Sequence, residues 1–149
     1  MAHKFHAAPS KCGLLATRMN LSYACVLASY AVVFLPKAPM AAAQAKEPGG
    51  YDNSHPRLQQ VKLTGVGARA SAAHLNGFES FPMFAAAVIM ANAAHVDVTM
   101  INRLAIAHVA FRCLYNVVYL ANIAAVRTIV WGAAAGAGIW LMILAILAT

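Results

Sequence analysis

Residues 68–88 read ARASAAHLNGFESFPMFAAAV, and this stretch decides the fold. It lies in an apolar run from about residue 63 to 95, and a helix needs roughly 20 mainly apolar residues to cross a bilayer. The run nevertheless contains an arginine, an amide and an acid. Arg69, Asn76 and Glu79 recur at helical spacing, and the last two share one helix face. The stretch therefore predicts a membrane helix with a polar face.

Three further apolar runs complete a predicted all-α integral membrane four-helix bundle. The predicted helices cover about residues 18–35, 63–95, 100–120 and 126–148. Pro36 ends the first helix, because proline cannot continue one, and Thr99 is the predicted N-cap of the third. Residues 36–62 contain KEPGGYDNSHPR, whose Pro, Gly and Asn content predicts a solvated loop. Residues 1–17 form a basic N-terminal segment, and residues 18–149 form the transmembrane domain.

The composition excludes a soluble monomer. Hydrophobic residues make up 62% of the chain and charged residues 10%, against roughly a quarter charged in ordinary soluble domains. Eleven Lys and Arg against four Asp and Glu give a net charge of +7. The bases stand in short groups beside apolar runs, which is typical of the positive-inside bias and not of a clustered basic face. We therefore predict a lipid bilayer as partner and no nucleic acid.

The cysteines and histidines do not indicate a metal site. Three cysteines, at positions 12, 25 and 113, form no CxxC pair. No set of His, Cys and carboxylate side chains has the spacing of metal ligands. The sequence thus predicts neither a disulfide framework nor a bound metal.

A second polar stripe follows the third predicted helix at steps of four, three and four: His108, Arg112, Tyr115 and Tyr119. An ionisable side chain in hydrocarbon costs about 2.5 to 3.5 kcal/mol, so this stripe cannot face lipid. In one interpretation Glu79 and Arg112 form a structural buried pair, with Asn76 and the tyrosine hydroxyls completing the hydrogen bonds. In the other, these groups surround a polar ligand, and the surplus of cations favours an anionic one. The role of His108 stays open.

The fourth predicted helix carries a packing motif and an aromatic residue. Gly132 and Gly136 form a GxxxG pattern, which predicts close approach of another helix. Trp131 fits an aromatic anchor at the membrane interface.

The stretch at 68–88, followed by FRCLYNVVYL at 111–120 and VRTIVW at 126–131, resembles the MAPEG family. These are membrane-associated proteins in eicosanoid and glutathione metabolism. The likeness covers about residues 63–147, and YDNSHPRLQQ at 51–60 resembles poorly characterised bacterial-type members. The resemblance implies a four-helix transmembrane subunit assembled as a homotrimer, with glutathione bound between neighbouring subunits near the cytosolic side.

The resemblance also implies the residues that bind glutathione. Asn76 and Glu79 match the family's amide and acid, and the acid is expected to meet the amino group of the tripeptide. Arg112, Tyr115 and Tyr119 match positions that contact the peptide carboxylates and backbone.

Arg127 matches the arginine near the sulfur in active relatives, and it is the predicted catalytic residue. Ala72 and Leu75 stand where well-studied relatives carry arginines that grip glutathione. Arg69, one turn before Ala72, is the predicted partial substitute and completes the binding set.

Two functions follow from the resemblance. The first is a membrane-bound glutathione-dependent transferase or peroxidase that acts on a lipophilic small molecule. The second is a non-catalytic scaffold or accessory subunit, which the missing arginines favour. In either case we expect a multi-pass protein, in the endomembrane system if the source is eukaryotic, with an organelle membrane as the other location considered.

Overall fold

The computed structural model describes the backbone of residues 11–149 and the side chains of residues 21–149. Residues 1–10 of the predicted basic segment lie outside the described residues. The described chain is all-helical, as the sequence predicts, and it has six helices: α1 (Lys11–Phe34), α2 (Lys37–Ala45), α3 (Pro56–Lys62), α4 (Gly65–Ala93), α5 (Val98–Leu120) and α6 (Ala124–Ala148). The four long helices correspond to the four predicted ones, although α1 begins well before the expected start near residue 18.

The prediction of a loop throughout residues 36–62 is wrong, because α2 and α3 occupy much of this segment. Its prolines start helices as well as ending one. Pro39 lies in the first turn of α2 and Pro56 is the first residue of α3, positions at which an N–H has no partner within the helix. Pro36 does have the predicted effect, since α1 ends at Phe34 and the chain turns before α2.

The start of α5 also differs from the prediction. The helix begins at Val98, and Asp97, not Thr99, is the N-cap. The Asp97 carboxylate accepts a hydrogen bond of 2.9 Å from the backbone N–H of Met100, the third residue of the helix. This contact satisfies one of the backbone donors that a helix start leaves without a partner.

The long helices form a bundle in which α4 and α5 contact each other, and each packs against both α1 and α6. Phe84 and Leu141 are among its fully buried side chains. Small residues let the helices approach closely: a Cβ atom on Gly77 would lie 3.1 Å from Cγ1 of Val33. At the same place Nδ1 of His74 lies 2.7 Å from the carbonyl oxygen of Val33, so a hydrogen bond also joins α4 to α1.

Within the part of the chain that the structure describes, two segments have the length and composition of membrane spans. They are Leu21–Ala45 and Ala124–Ala148, with mean hydropathy of 1.5 and 2.1. Large apolar side chains also cover the outside of the bundle; Leu27 and Ile129 are about 70% exposed. The fold is thus a helical membrane bundle. That the more polar α4 and α5 also cross the bilayer remains a prediction.

Candidate functional site

A hydrogen-bonded chain of three side chains joins α5 to α4. Nη1 of Arg112 donates to Oδ1 of Asn76 at 2.9 Å, and Nδ2 of Asn76 donates to Oε2 of Glu79 at 3.1 Å. A guanidinium can only donate and an ionised carboxylate can only accept, so the two neighbours fix the orientation of the amide. Among the described residues Arg112 therefore reaches Glu79 through Asn76, and the direct pair considered from the sequence is not formed.

This chain runs from the bundle interior to its surface. Arg112 is only 3% exposed, Asn76 is half-buried and Glu79 is exposed. The buried cation donates to Asn76 inside the protein, whereas the carboxylate keeps acceptor capacity at the surface. A group that binds from outside would meet Glu79 first.

Arg112 of this chain and a second arginine, Arg127, each stack on a tyrosine ring. The guanidinium carbon of Arg112 lies 4.5 Å from the ring centre of Tyr115, and that of Arg127 lies 4.5 Å from the ring centre of Tyr119. The two rings meet edge to face, with centres 5.4 Å apart. Each guanidinium thus lies over the face of an aromatic ring, and such a face attracts cations. The steps between residues on α5 put both rings and Arg112 on one helix face.

Two adjoining cavities open at these residues. The first, which we call the Arg127 cavity, measures about 280 Å³ and is lined by Asn76, Tyr115, Tyr119, Arg127, Thr128 and Trp131. The second, the His108 cavity, measures about 210 Å³, and its walls include Asn76, Glu79, His108, Trp131, Gly138 and Met142. Asn76 and Trp131 line both. Six of the seven predicted site residues therefore line these cavities or, as Arg112, bond to a lining residue.

Arg69 is the exception. Its Nε donates to the carbonyl oxygen of Leu120 at 3.1 Å, and it lines neither cavity. Leu120 is the last residue of α5, where helix carbonyls have no partner within the helix. The structure thus gives Arg69 a contact that closes the end of α5, at the residue that follows Tyr119.

Several residues that line the cavities were not among the predicted site residues, and His108 and Trp131 are the two of them that the sequence analysis had already singled out. His108 is 2% exposed, and its ring stacks on Phe84 with centres 3.8 Å apart. Its position four residues before Arg112 puts it on the same face of α5, and this spacing was the sequence signal that could have identified it as a site residue. Trp131, predicted as an interfacial anchor, forms a wall common to both cavities; no local pattern in the sequence distinguishes these two roles.

Comparison with known proteins gives one match. The model of the MAPEG family matches residues 21–147, which is most of the chain and includes every residue of both cavities. No curated protein and no solved structure gives a significant match.

Proposed function

Because the chain belongs to the MAPEG family, whose members are membrane-associated and generally act in glutathione and eicosanoid metabolism, we propose that it is a membrane-bound glutathione-dependent transferase or peroxidase. One observation carries this proposal: Asn76, Glu79, Tyr115, Tyr119 and Arg127 converge on two adjoining cavities. Glutathione carries an amino group, two carboxylates, peptide groups and a thiol. An acid, an amide, two phenols and a cation are chemically suited to hold it.

Each residue has a proposed role. Glu79 binds the amino group, which is consistent with its exposed carboxylate. Tyr115 and Tyr119 contact the peptide and its carboxylates. Arg112 is buried and already bonded to Asn76, so we assign it the task of positioning the Asn76 amide in addition to the contact implied by the resemblance. Arg69 has the weakest support as a binding residue, because its Nε already bonds the end of α5.

Arg127 is the proposed catalytic residue. A free thiol has a pKa of about 8.5 and is only a few per cent ionised near neutral pH. Lowering that pKa by two units takes roughly 2.7 kcal/mol, and one hydrogen bond to a charged group contributes about 1.5 to 3 kcal/mol. Arg127 lines its cavity and would stabilise the thiolate of bound glutathione. It would thereby provide the nucleophile for attack on a lipophilic electrophile that arrives from the bilayer.

The proposal includes a homotrimer of multi-pass subunits in an internal membrane. The Glu79 carboxylate is exposed on the single chain, although it belongs to a helix predicted to lie in the bilayer. A Cβ atom at Gly132 or Gly136 would have no atom within 4 Å, so the GxxxG motif has no close partner helix among the described residues. A neighbouring subunit would cover both features. Native mass spectrometry of the detergent-solubilised protein would test the trimer.

The experiment that tests the proposed function is Arg127→Ala. We expect the variant to keep its assembly and lose transferase or peroxidase turnover by about 25-fold at pH 7, because raising the thiol pKa from about 6.5 back to about 8.5 lowers its ionised fraction from about three quarters to about 3%. Turnover is measured with 1-chloro-2,4-dinitrobenzene and with cumene hydroperoxide. Arg103→Ala, at an exposed arginine of α5, is the matched control and should keep full activity. Full activity of Arg127→Ala would contradict the assigned role.

A non-catalytic scaffold is the second candidate. It is favoured by Ala72 and Leu75, which carry no charge where relatives have arginines, and Leu75 is 61% exposed. Calorimetry with glutathione on the solubilised protein separates the two functions. Binding supports the enzyme, whereas its absence favours the scaffold.

A further inference from the structure

The His108 cavity has one feature that the proposed glutathione chemistry does not use. Nδ1 of His108 lies 3.0 Å from the carbonyl oxygen of Ala134 on α6. Because a carbonyl can only accept, Nδ1 carries the proton of this hydrogen bond, and in the neutral ring Nε2 is left with a lone pair. Nε2 is fully buried and has no hydrogen-bond partner among the described residues.

A buried acceptor without a partner is unusual, because leaving one unpaired costs about as much as a lost hydrogen bond. The ring cannot easily turn to find one. It is held on one side by the contact with Ala134 and on its face by Phe84, whose plane lies within 4° of parallel. The missing donor must therefore come to Nε2.

The cavity walls indicate what kind of donor fits. They are largely apolar and include Met142 and Trp131, with Asn76, Glu79 and Ser80 as the polar part of the lining. A buried water needs two to four polar partners; Nε2 supplies one, and Asn76, Glu79 or Ser80 of the lining would have to supply the others. An apolar molecule with one polar end would suit both the apolar walls and the unpartnered acceptor of His108.

We propose that the His108 cavity binds a small neutral apolar molecule with one hydrogen-bond donor, either a hydroxyl, a hydroperoxide or an aromatic N–H, which donates to Nε2 of His108. Because Asn76 and Glu79 line the same cavity and are assigned above to glutathione, the binding is measured with no glutathione present.

Indole and indene form a suitable pair of probes, since they have nearly the same shape and only indole has an N–H donor. They are titrated into the solubilised full chain labelled with ¹⁵N-histidine, and the His108→Phe spectrum identifies the resonances of His108. We expect indole to shift the Nε2 resonance saturably. Indene should leave this resonance in place and bind about fivefold more weakly, the effect of one hydrogen bond.

Two glycine variants test the location without touching His108. Gly138 lines the cavity and Gly136 does not, and at both a Cβ atom would have no neighbour within 4 Å. Within the single chain alanine at either position is accommodated and favours the helix. Because Gly136 belongs to the GxxxG motif assigned above to subunit contact, the variants are compared at the same oligomeric state, measured by native mass spectrometry. Gly138→Ala is expected to weaken indole binding severalfold by filling the cavity, whereas Gly136→Ala should bind indole like the unmodified chain.

Three results would overturn the proposal. The first is equal affinity for indole and indene, and the second is an equal effect of the two glycine variants. The third is an Nε2 resonance typical of a hydrogen-bonded nitrogen before any probe is added and unchanged by indole, which would identify a buried water as the partner. His108→Phe, where it folds, should bind the two probes alike.

Discussion

Two hydrogen-bond networks centred on side-chain amides differ in where their hydrogen bonds end. One lies in the chain segment that connects α1 to α4, and the other joins α5 to α4. In the first, Nε2 of Gln44 donates to the carbonyl of Pro56 and to Oε1 of Gln59, at 3.1 and 3.0 Å. Nε2 of Gln59 donates back to the carbonyls of Gln44 and Gly50, at 3.2 and 2.7 Å. The N–H of Asp52 completes the set by donating to Oε1 of Gln59. Both amide groups therefore bond within the segment.

The second network, which joins α5 to α4, is open at one end. Asn76 is satisfied on both sides, by Arg112 and Glu79. The chain then ends at the exposed carboxylate of Glu79, and Nε2 of His108 nearby has no partner among the described residues. A closed network adds stability and order, whereas an open one keeps capacity for a ligand. The contrast separates the network of Gln44 and Gln59, which stabilises the fold, from the network of Asn76, which is expected to bind a ligand.

Arg112→Leu is expected to have the largest effect, because it affects the fold and the site together. It removes the donor to Asn76 Oδ1 and leaves that oxygen unpaired, which should lower the free energy of unfolding by about 2 to 3 kcal/mol. Unfolding in mixed micelles measures the change, and calorimetry should show weaker glutathione binding. Arg103→Leu, on the exposed side of the same helix, should change neither the free energy of unfolding nor glutathione binding. Unchanged stability of Arg112→Leu would contradict the structural role of the network.

Glu79→Gln should separate binding from stability. The exposed carboxylate contributes little to the fold, so the free energy of unfolding should change by less than about 0.5 kcal/mol. Glutathione affinity should fall about tenfold, through loss of a charge-assisted contact with the amino group. Calorimetry measures this affinity, with Glu47→Gln between α2 and α3 as the control. Equal affinity in both variants would mean that Glu79 does not hold the substrate.

Gln59→Ala should affect the closed network alone. Loss of its contacts with Gln44 is expected to lower local stability by about 1 kcal/mol, measured as faster amide hydrogen exchange in α2 and α3. Gln60→Ala, at the adjacent position of α3, is the matched control. Glutathione binding should stay unchanged, and a loss of binding would show that the two networks are coupled.

Asp52 gives the smallest expected effect. The backbone N–H groups of His55 and Ser54 donate to its carboxylate at 2.9 and 2.8 Å and hold its pKa below the ordinary value of 3.8. Its contribution to stability is therefore present above pH 3.8 and is lost as pH falls through the lowered pKa. Asp52→Asn should show faster exchange of these two amides near neutral pH and no difference in strong acid. A difference that persists in acid would contradict this ionisation.

The helices and the polar stripes were predictable, because both depend on local periodicity. The spacing of Asn76 and Glu79 put them on one face of α4, and the structure joins them directly. The errors came from residues with two possible local roles. Pro56 starts a helix where proline was taken to indicate a loop, and both Asp97 and Thr99 could cap α5.

The sequence by itself determined an apolar helical bundle with polar faces on two helices, because hydropathy and helical spacing are properties of neighbouring residues. Only the tertiary structure decided which polar atoms have partners. Arg69 bonds the end of α5, Asn76 separates Arg112 from Glu79, and one nitrogen of His108 has no partner within residues 21–149. These contacts depend on the rotation and register of helices far apart along the chain. Packing sets both quantities, and spacing within one helix does not specify them.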